Sequence, residues 1–359
     1  MTSLARKVTV PTEDEALAFV ASGAAEADAG RRTLAEDMAM LAASGILNRL
    51  CRGDPSAHAT LLRRIGRVSL PVGRLAEGHM NALKLVALHG TARQRQSCQA
   101  EADSGTIFGV WGADDDPPLR IAEGGDGALR LSGGKRFASG LGTVGRAVLT
   151  AESADGPQLL LATVTDRARA DAAVWKTSGM RATVSGRYDF NGATAEPLGA
   201  PGDYLKEPHF QGGVWRYAAL QTGGIEALAE EVRRAVATRG DAATEAQLHR
   251  VARIVALAHG ARLCVEDAAR QVEGPGAGPG AVALSLAARE AVEQASLDAI
   301  AIADRALGTR SFATGHRADL VRRDLAFFLR QADLDGKLTQ VGRTLCRADL
   351  PVGEFWGVA

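Results

Sequence analysis

The sequence predicts an α+β protein in three parts: an N-terminal all-helical domain, a middle antiparallel β domain and a C-terminal four-helix bundle. Residues 1–104 carry helical punctuation and apolar residues at helical spacing. Residues 105–204 break into short β-type runs separated by Gly, Asp and Pro, and over 205–359 long helical segments return. The chain has 359 residues, enough for two or three folding units of about 100–200 residues each. Its 42 Lys and Arg balance 42 Asp and Glu, so it has no cationic surplus for nucleic acid or an anionic membrane. Small molecules and other protein chains are the expected partners.

In the first part, Thr12-Glu13-Asp14-Glu15 has the spacing of a capping box ahead of Ala16, Leu17, Phe19 and Val20. A second helix is predicted from about Arg31 to Ala43 before Gly45, and a third from Ala57 to about Ile65. A long apolar helix follows from Leu70 to Leu88, closed by Gly90. His79 lies within it, where a lone His is usually a hydrogen-bonded core residue.

The middle part has β-type runs at Ile107 to Trp111, Ala128 to Ala138, Ala147 to Ala151, Leu159 to Val164 and Tyr188 to Phe190. This spacing suits a small antiparallel barrel or sandwich. The glycines of Leu131-Ser132-Gly133-Gly134-Lys135-Arg136-Phe137-Ala138-Ser139-Gly140 permit a sharp turn or a close approach by a ligand. In the third part, Gly213 to Arg239, Ala242 to Glu273, Ala281 to Ala306 and Ala318 to Ala332 have helical length, with Gly274 to Gly280 as a connector.

The four cysteines, Cys51, Cys98, Cys264 and Cys346, are far apart and show neither metal-ligand nor disulfide spacing, so no metal is expected. A reducing cytoplasm fits them best. The N-terminal residues have no signal-peptide apolar run, and no stretch approaches the roughly 18 apolar residues of a membrane span. Only 4% of residues are aromatic, which draws attention to each of the four tryptophans.

The order of parts and three motifs resemble the acyl-CoA dehydrogenase superfamily. Thr106 to Asp114 stands where that family enters its β domain. Leu131-x-Gly-Gly-Lys135-Arg-Phe137-Ala-Ser139-Gly is similar to its Leu-x-Gly-x-Lys-x-Trp-Ile-Thr-Asn strand. Ser178-Gly179-Met180-Arg181-Ala182-Thr183 matches its Leu-Gly-Met-Arg-x-Ser turn, with Tyr188-Asp189-Phe190 as the following strand. The resemblance implies FAD held without a GxGxxG unit. It places the turn residues Trp111, Gly112 and Ala113 at the flavin pyrimidine edge, with Phe137 and Ser139 supplying the aromatic face and the hydroxyl. It assigns Arg239 and Gln247 to the pyrophosphate and ribitol of a neighbouring subunit's flavin, and Gly308 to the adenosine phosphates.

The same resemblance implies oxidation of an acyl thioester, carried on CoA or a carrier protein, in fatty acid metabolism. It implies a homodimer or homotetramer, with an electron-transfer flavoprotein or a flavin reductase as redox partner. Such α,β-dehydrogenation needs a carboxylate to take the α proton. At one family position for that Glu this chain has Trp215, followed by Arg216; at the other, after Arg323-Asp324, the nearest carboxylate is Asp335 of Asp335-Gly336. Asp335 is therefore the expected base, with Glu226 and Glu230 as alternatives. Loss of both glutamates also resembles the superfamily's flavin-dependent monooxygenases, which need no such base. A non-catalytic flavin-binding or acyl-binding protein is a third reading.

Overall fold

The computed structural model describes residues 10–123, 129–153, 155–330 and 333–356. Six helices come first: α1 (Glu13–Asp28), α2 (Ala35–Ala43), α3 (Ile46–Cys51), α4 (Pro55–Val68), α5 (Leu70–His89) and α6 (Ala92–Asp103). Thr12 forms the expected capping box with Glu15, and Asp54 and Ser69 cap α4 and α5, each followed by Pro within the first turn. Helix α6 was not expected. Its segment is polar and buries only Gln94 and Cys98, so no apolar stripe announces it, although Thr91 and Gln94 cap it reciprocally.

Nine strands follow: β1 (Ile107–Trp111), β2 (Arg120–Glu123), β3 (Leu129–Ser132), β4 (Gly134–Ala138), β5 (Val144–Ser153), β6 (Gly156–Thr163), β7 (Ala170–Asp171), β8 (Gly186–Asp189) and β9 (Glu196–Leu198). One sheet runs β3-β2-β5-β6-β9 with β1 also on β5; the other runs β4-β8-β7. Pairing is antiparallel apart from β1 and β2 on β5, which are parallel. The expected single run 128–138 divides at Gly133, whose φ of +88° turns the chain from one sheet into the other.

The last part contains α7 (Trp215–Ala237), α8 (Glu245–Glu273), α9 (Pro279–Leu307), α10 (Arg317–Phe328) and α11 (Leu334–Arg347). The expected four helices are joined by α11, which packs on α9. Helix α11 was not expected, although Leu334, Leu338, Val341 and Leu345 have helical spacing. Helix α7 is the hub, packed by α4, α5, α8, α9 and α10. Two glycines permit its closest crossing: a Cβ on Gly66 would stand 2.3 Å from the Leu220 carbonyl oxygen, and one on Gly223 2.2 Å from that of Arg63. No helix of the described residues is long and apolar enough to cross a membrane, and among them no cluster of His, Cys, Asp or Glu is placed to hold a metal ion.

Glu273, the last residue of α8, joins three helices by pairing with Lys84 of α5 and Arg216 of α7. Burial alone would raise its pKa, but the two cations outweigh that and bring it from 4.5 to about 2. A depressed carboxylate pKa stabilises the fold above the unfolded value and loses that stabilisation as pH falls from about 4.5 towards 2. E273Q should therefore be less stable at neutral pH by roughly 3 kcal/mol. Its stability should also fall less steeply than wild type between those pH values. Urea denaturation across pH checks this, and parallel pH profiles would sink it.

Candidate functional site

The candidate site begins with a buried lysine. Lys135 of β4 is fully buried, and its ammonium donates to the Gly112 carbonyl (2.9 Å), Asp114 Oδ1 (2.6 Å) and Thr150 Oγ1 (3.2 Å). Burial pushes its pKa down, with Asp114 opposing that shift. These bonds fasten the Gly112-Ala113 turn after β1 to the strand that carries Phe137. Beside the turn, Trp111 is buried and its indole Nε1 donates to the Ser139 carbonyl (3.0 Å).

Two residues past Lys135 the β4–β8 register slips, and Phe137 adopts φ +53°. A bulge re-aims one side chain against the strand's alternation. Here it turns Phe137 outward, 55% exposed, where it meets Trp175 edge-on at 6.3 Å; Trp175 in turn meets Phe327 at 5.5 Å. The three rings line a cavity of about 400 Å³ together with Gly112, Ala113 and Ser139. That volume falls in the roughly 300–1,000 Å³ range of small-molecule sites.

Helix α10 reaches this cavity because the Ser178-Gly179-Met180-Arg181 turn docks on it. A Cβ on Gly179 would stand 2.0 Å from the Arg323 carbonyl oxygen, so only glycine allows the approach. Met180, at φ +53°, donates its N–H to buried Asp324 (2.6 Å), and Arg323 donates to the Ser178 carbonyl (2.7 Å) and pairs with Asp28. Burial raises the Asp324 pKa to about 7, against the lowering effect of the Met180 N–H. Phe137, Met180 and Val184 all carry positive φ and cluster here. Such backbone strain persists only where the surrounding structure enforces it.

Three hydroxyls run inward from the cavity. Ser139 Oγ lies 2.8 Å from Ser185 Oγ, which lies 2.8 Å from Thr183 Oγ1, and Thr183 is 2.7 Å from the Met180 carbonyl. Each hydroxyl has one proton to give. If Thr183 donates to Met180, then Ser185 donates to Thr183 and Ser139 to Ser185, so Ser139 offers lone pairs to the cavity. Reversing all three frees the Ser139 proton for an acceptor there. The Met180 carbonyl still accepts from Trp175 Nε1 (3.1 Å) and the Thr183 N–H (3.2 Å), so reversal strands no buried acceptor.

Of the sequence-predicted residues, Gly112, Ala113, Phe137 and Ser139 line this cavity and Trp111 supports it from beneath. The others lie elsewhere on this chain. Arg239 is exposed after α7, Gln247 closes the capping box of α8 with Thr244, and Gly308 is exposed at the end of α9 with φ +63°. Asp335 is exposed in the first turn of α11 and is not a lining residue. Glu226 is paired with Arg63 and Glu230 with Arg233 and Arg234. Trp215 is fully buried, its backbone N–H donating to Ser285 Oγ (3.2 Å). His79 is buried too, accepting from the Phe108 N–H (3.1 Å), and burial lowers its pKa to about 4. Sequence reasoning missed Trp175, Phe327, Thr183 and Ser185. An aromatic residue in a chain with so few was the available signal for Trp175.

No protein-family model matches the chain, and no curated protein matches it by sequence. Solved structures match closely in shape. TdsC from Paenibacillus sp. A11-2, determined with FMN and indole, aligns at a TM-score of 0.80 and 17% identity over 96% of this chain and 98% of TdsC. The methanesulfinate monooxygenase MsuC from Pseudomonas fluorescens aligns at 0.77 and 21% identity, over 95% and 97% of the two chains. KijD3, in complex with FMN and a dTDP-linked amino-keto sugar, aligns at 0.80 and 15% identity, over 95% and 93%. The chain therefore has the acyl-CoA dehydrogenase-like fold.

K135M should cost about 2 kcal/mol of stability, because it leaves the Gly112 carbonyl and Asp114 without their cation. It should also loosen the Phe137 wall. Thermal denaturation together with hydrogen exchange at residues 111–114 checks this, and unchanged protection of that turn would refute the fastening role of Lys135.

Proposed function

We propose that this chain is a flavin-dependent monooxygenase that uses reduced FMN and O₂. One observation carries the reading: among the described residues lining the Phe137–Trp175–Phe327 cavity there is no carboxylate. Acyl-CoA dehydrogenation requires a base at the substrate α carbon, whereas oxygenation does not. Glu77, in the adjoining cavity, is already paired with Arg74 and hydrogen-bonded by Asn81.

The residues present fit a flavin. Three rings packed edge to face and a bulged strand make an apolar wall, backbone groups of Gly112 and Ala113 line the same cavity, and the Ser139 hydroxyl can donate or accept. Bound reduced FMN would supply two electrons to O₂. The net chemistry it would supply is one oxygen atom to the substrate and the other to water, the two protons and two electrons coming from the reduced flavin. The reversible hydroxyl row from Ser139 to Thr183 can hold a proton at the cavity wall or turn it inward. Arg74 and Arg330 also line the cavity, each already paired with a glutamate, Glu77 and Glu293 respectively. FMN is preferred to FAD because the similar structures TdsC and KijD3 contain FMN. A flavin reductase is the implied redox partner.

The purified protein should bind reduced FMN, and F137A should weaken that binding at least tenfold in an anaerobic fluorescence titration. With a flavin reductase, NADH and O₂, oxygenated product should form. A panel of acyl-CoA thioesters should leave bound oxidised flavin unbleached without oxygen. Anaerobic bleaching by an acyl-CoA would establish dehydrogenase chemistry instead, and failure to bind either FMN or FAD would remove the flavin reading.

A further inference from the structure

A second cavity, of about 150 Å³, lies between α5, β1 and the start of α7. Val110 of β1 lines both cavities, and Arg74, at the first, holds Glu77, at the second. The two spaces are therefore neighbours across one strand residue and one ion pair.

Four buried polar atoms on the wall of this second cavity have no hydrogen-bond partner: Asn81 Oδ1, His209 Nδ1, Arg216 Nε and the Tyr217 hydroxyl. An unpaired buried polar atom is costly, and natural proteins keep few. Four around one cavity describe the complement of a ligand. Arg216 is 4% exposed; one of its two terminal nitrogens pairs with Glu273, and its Nε–H has no partner. Burial keeps Tyr217 protonated by raising its pKa, so its hydroxyl is a donor. Burial and nearby Lys84 lower the His209 pKa, so the ring is neutral and presents one N–H. Asn81 donates its amide nitrogen to Glu77, so its free oxygen is an acceptor.

The charge points the same way. Arg74, Lys84, Lys206 and Arg216 face or back the cavity, against Glu77, Asp203 and Glu273, which leaves one positive charge in excess. The lining is otherwise partly apolar, with Leu85, Val110, Phe210 and Val214. A cavity of about this volume accommodates a benzene-sized body.

We propose that this cavity binds the oxidisable substrate, and that the substrate is a small organic acid. Its acid group is taken by Arg216, His209 and Tyr217, its benzene-sized apolar body lies on the Val110 wall, and an O–H or N–H reaches Asn81. The oxidation itself rests on the flavin reading above; the binding does not.

The experiment separates the two. Calorimetric titration of the flavin-free protein uses 4-hydroxybenzoate as probe, with 4-hydroxybenzamide as the neutral match in shape and indole as the apolar one. The acid should bind at least tenfold more tightly than either. Y217F and H209A, with folding checked by circular dichroism, should each weaken it at least fivefold. If indole or the amide binds as well as the acid, or if both variants bind it unchanged, the inference is overturned. If the acid binds as expected but reduced FMN with O₂ yields no oxygenated product from a panel of such acids, the pocket assignment stands and the monooxygenase reading fails.

Discussion

The docking of the Gly179–Met180 turn onto α10 is the contact on which the rest of the site depends. The β domain supplies Phe137, Ser139 and Trp175, while Phe327 and Arg330 come from the helical part, and only this turn brings the two sets within reach. Gly179 permits the approach by having no Cβ, and Asp324 holds it by accepting the Met180 N–H. The same joint feeds the hydroxyl row, because the Met180 carbonyl ends it and also accepts from Trp175 Nε1. A packing requirement of one glycine thus sets the aromatic wall and the proton inventory together.

The legible parts of this protein are those where function is local in sequence. Phe137 and Ser139 were picked out by the resemblance of one continuous strand motif and both line the first cavity, whereas the bulge that turns Phe137 outward was not foreseen. The Gly-Met-Arg turn was legible as a motif, but its partner was not, since Arg323 and Asp324 lie more than a hundred residues away. Trp175 belongs to no periodic segment or motif, and Phe327 lies in the expected helical segment Ala318 to Ala332 with nothing local to mark it; the two become a wall only after docking. At the level of fold, α6 was hidden by its polar surface, and α11 was missed although its apolar residues have helical spacing.

Trp215 shows a different limit. Its sequence position, where the family has a carboxylate, invites a role at the site, yet the helix turns the indole into the core. It is the flanking residues, Val214, Arg216 and Tyr217, that face the second cavity. Helical geometry explains this, because adjacent residues on a helix point about 100° apart and a position can be functional in its neighbours alone. Trp215 fixes where Arg216 and Tyr217 stand, with the Arg216 guanidinium 5.2 Å over its ring.

The two cavities divide labour by polarity. The first is walled by rings and hydroxyls and offers few fixed charges, as suits a planar redox group whose charge changes during turnover. The second concentrates fixed charge and unpaired donors, as suits recognition of one group on a small molecule. In the monooxygenase reading proposed above, an unpaired ammonium or carboxylate against the ring wall would bias the redox chemistry, and in a low-dielectric interior the bias is large. The Arg74–Glu77 pair between them presents nearly zero net charge to either side while still joining α5 to both. Glu273 does the same from behind for Lys84 and Arg216, holding two cations in place without cancelling the hydrogen-bond donor that Arg216 turns inward.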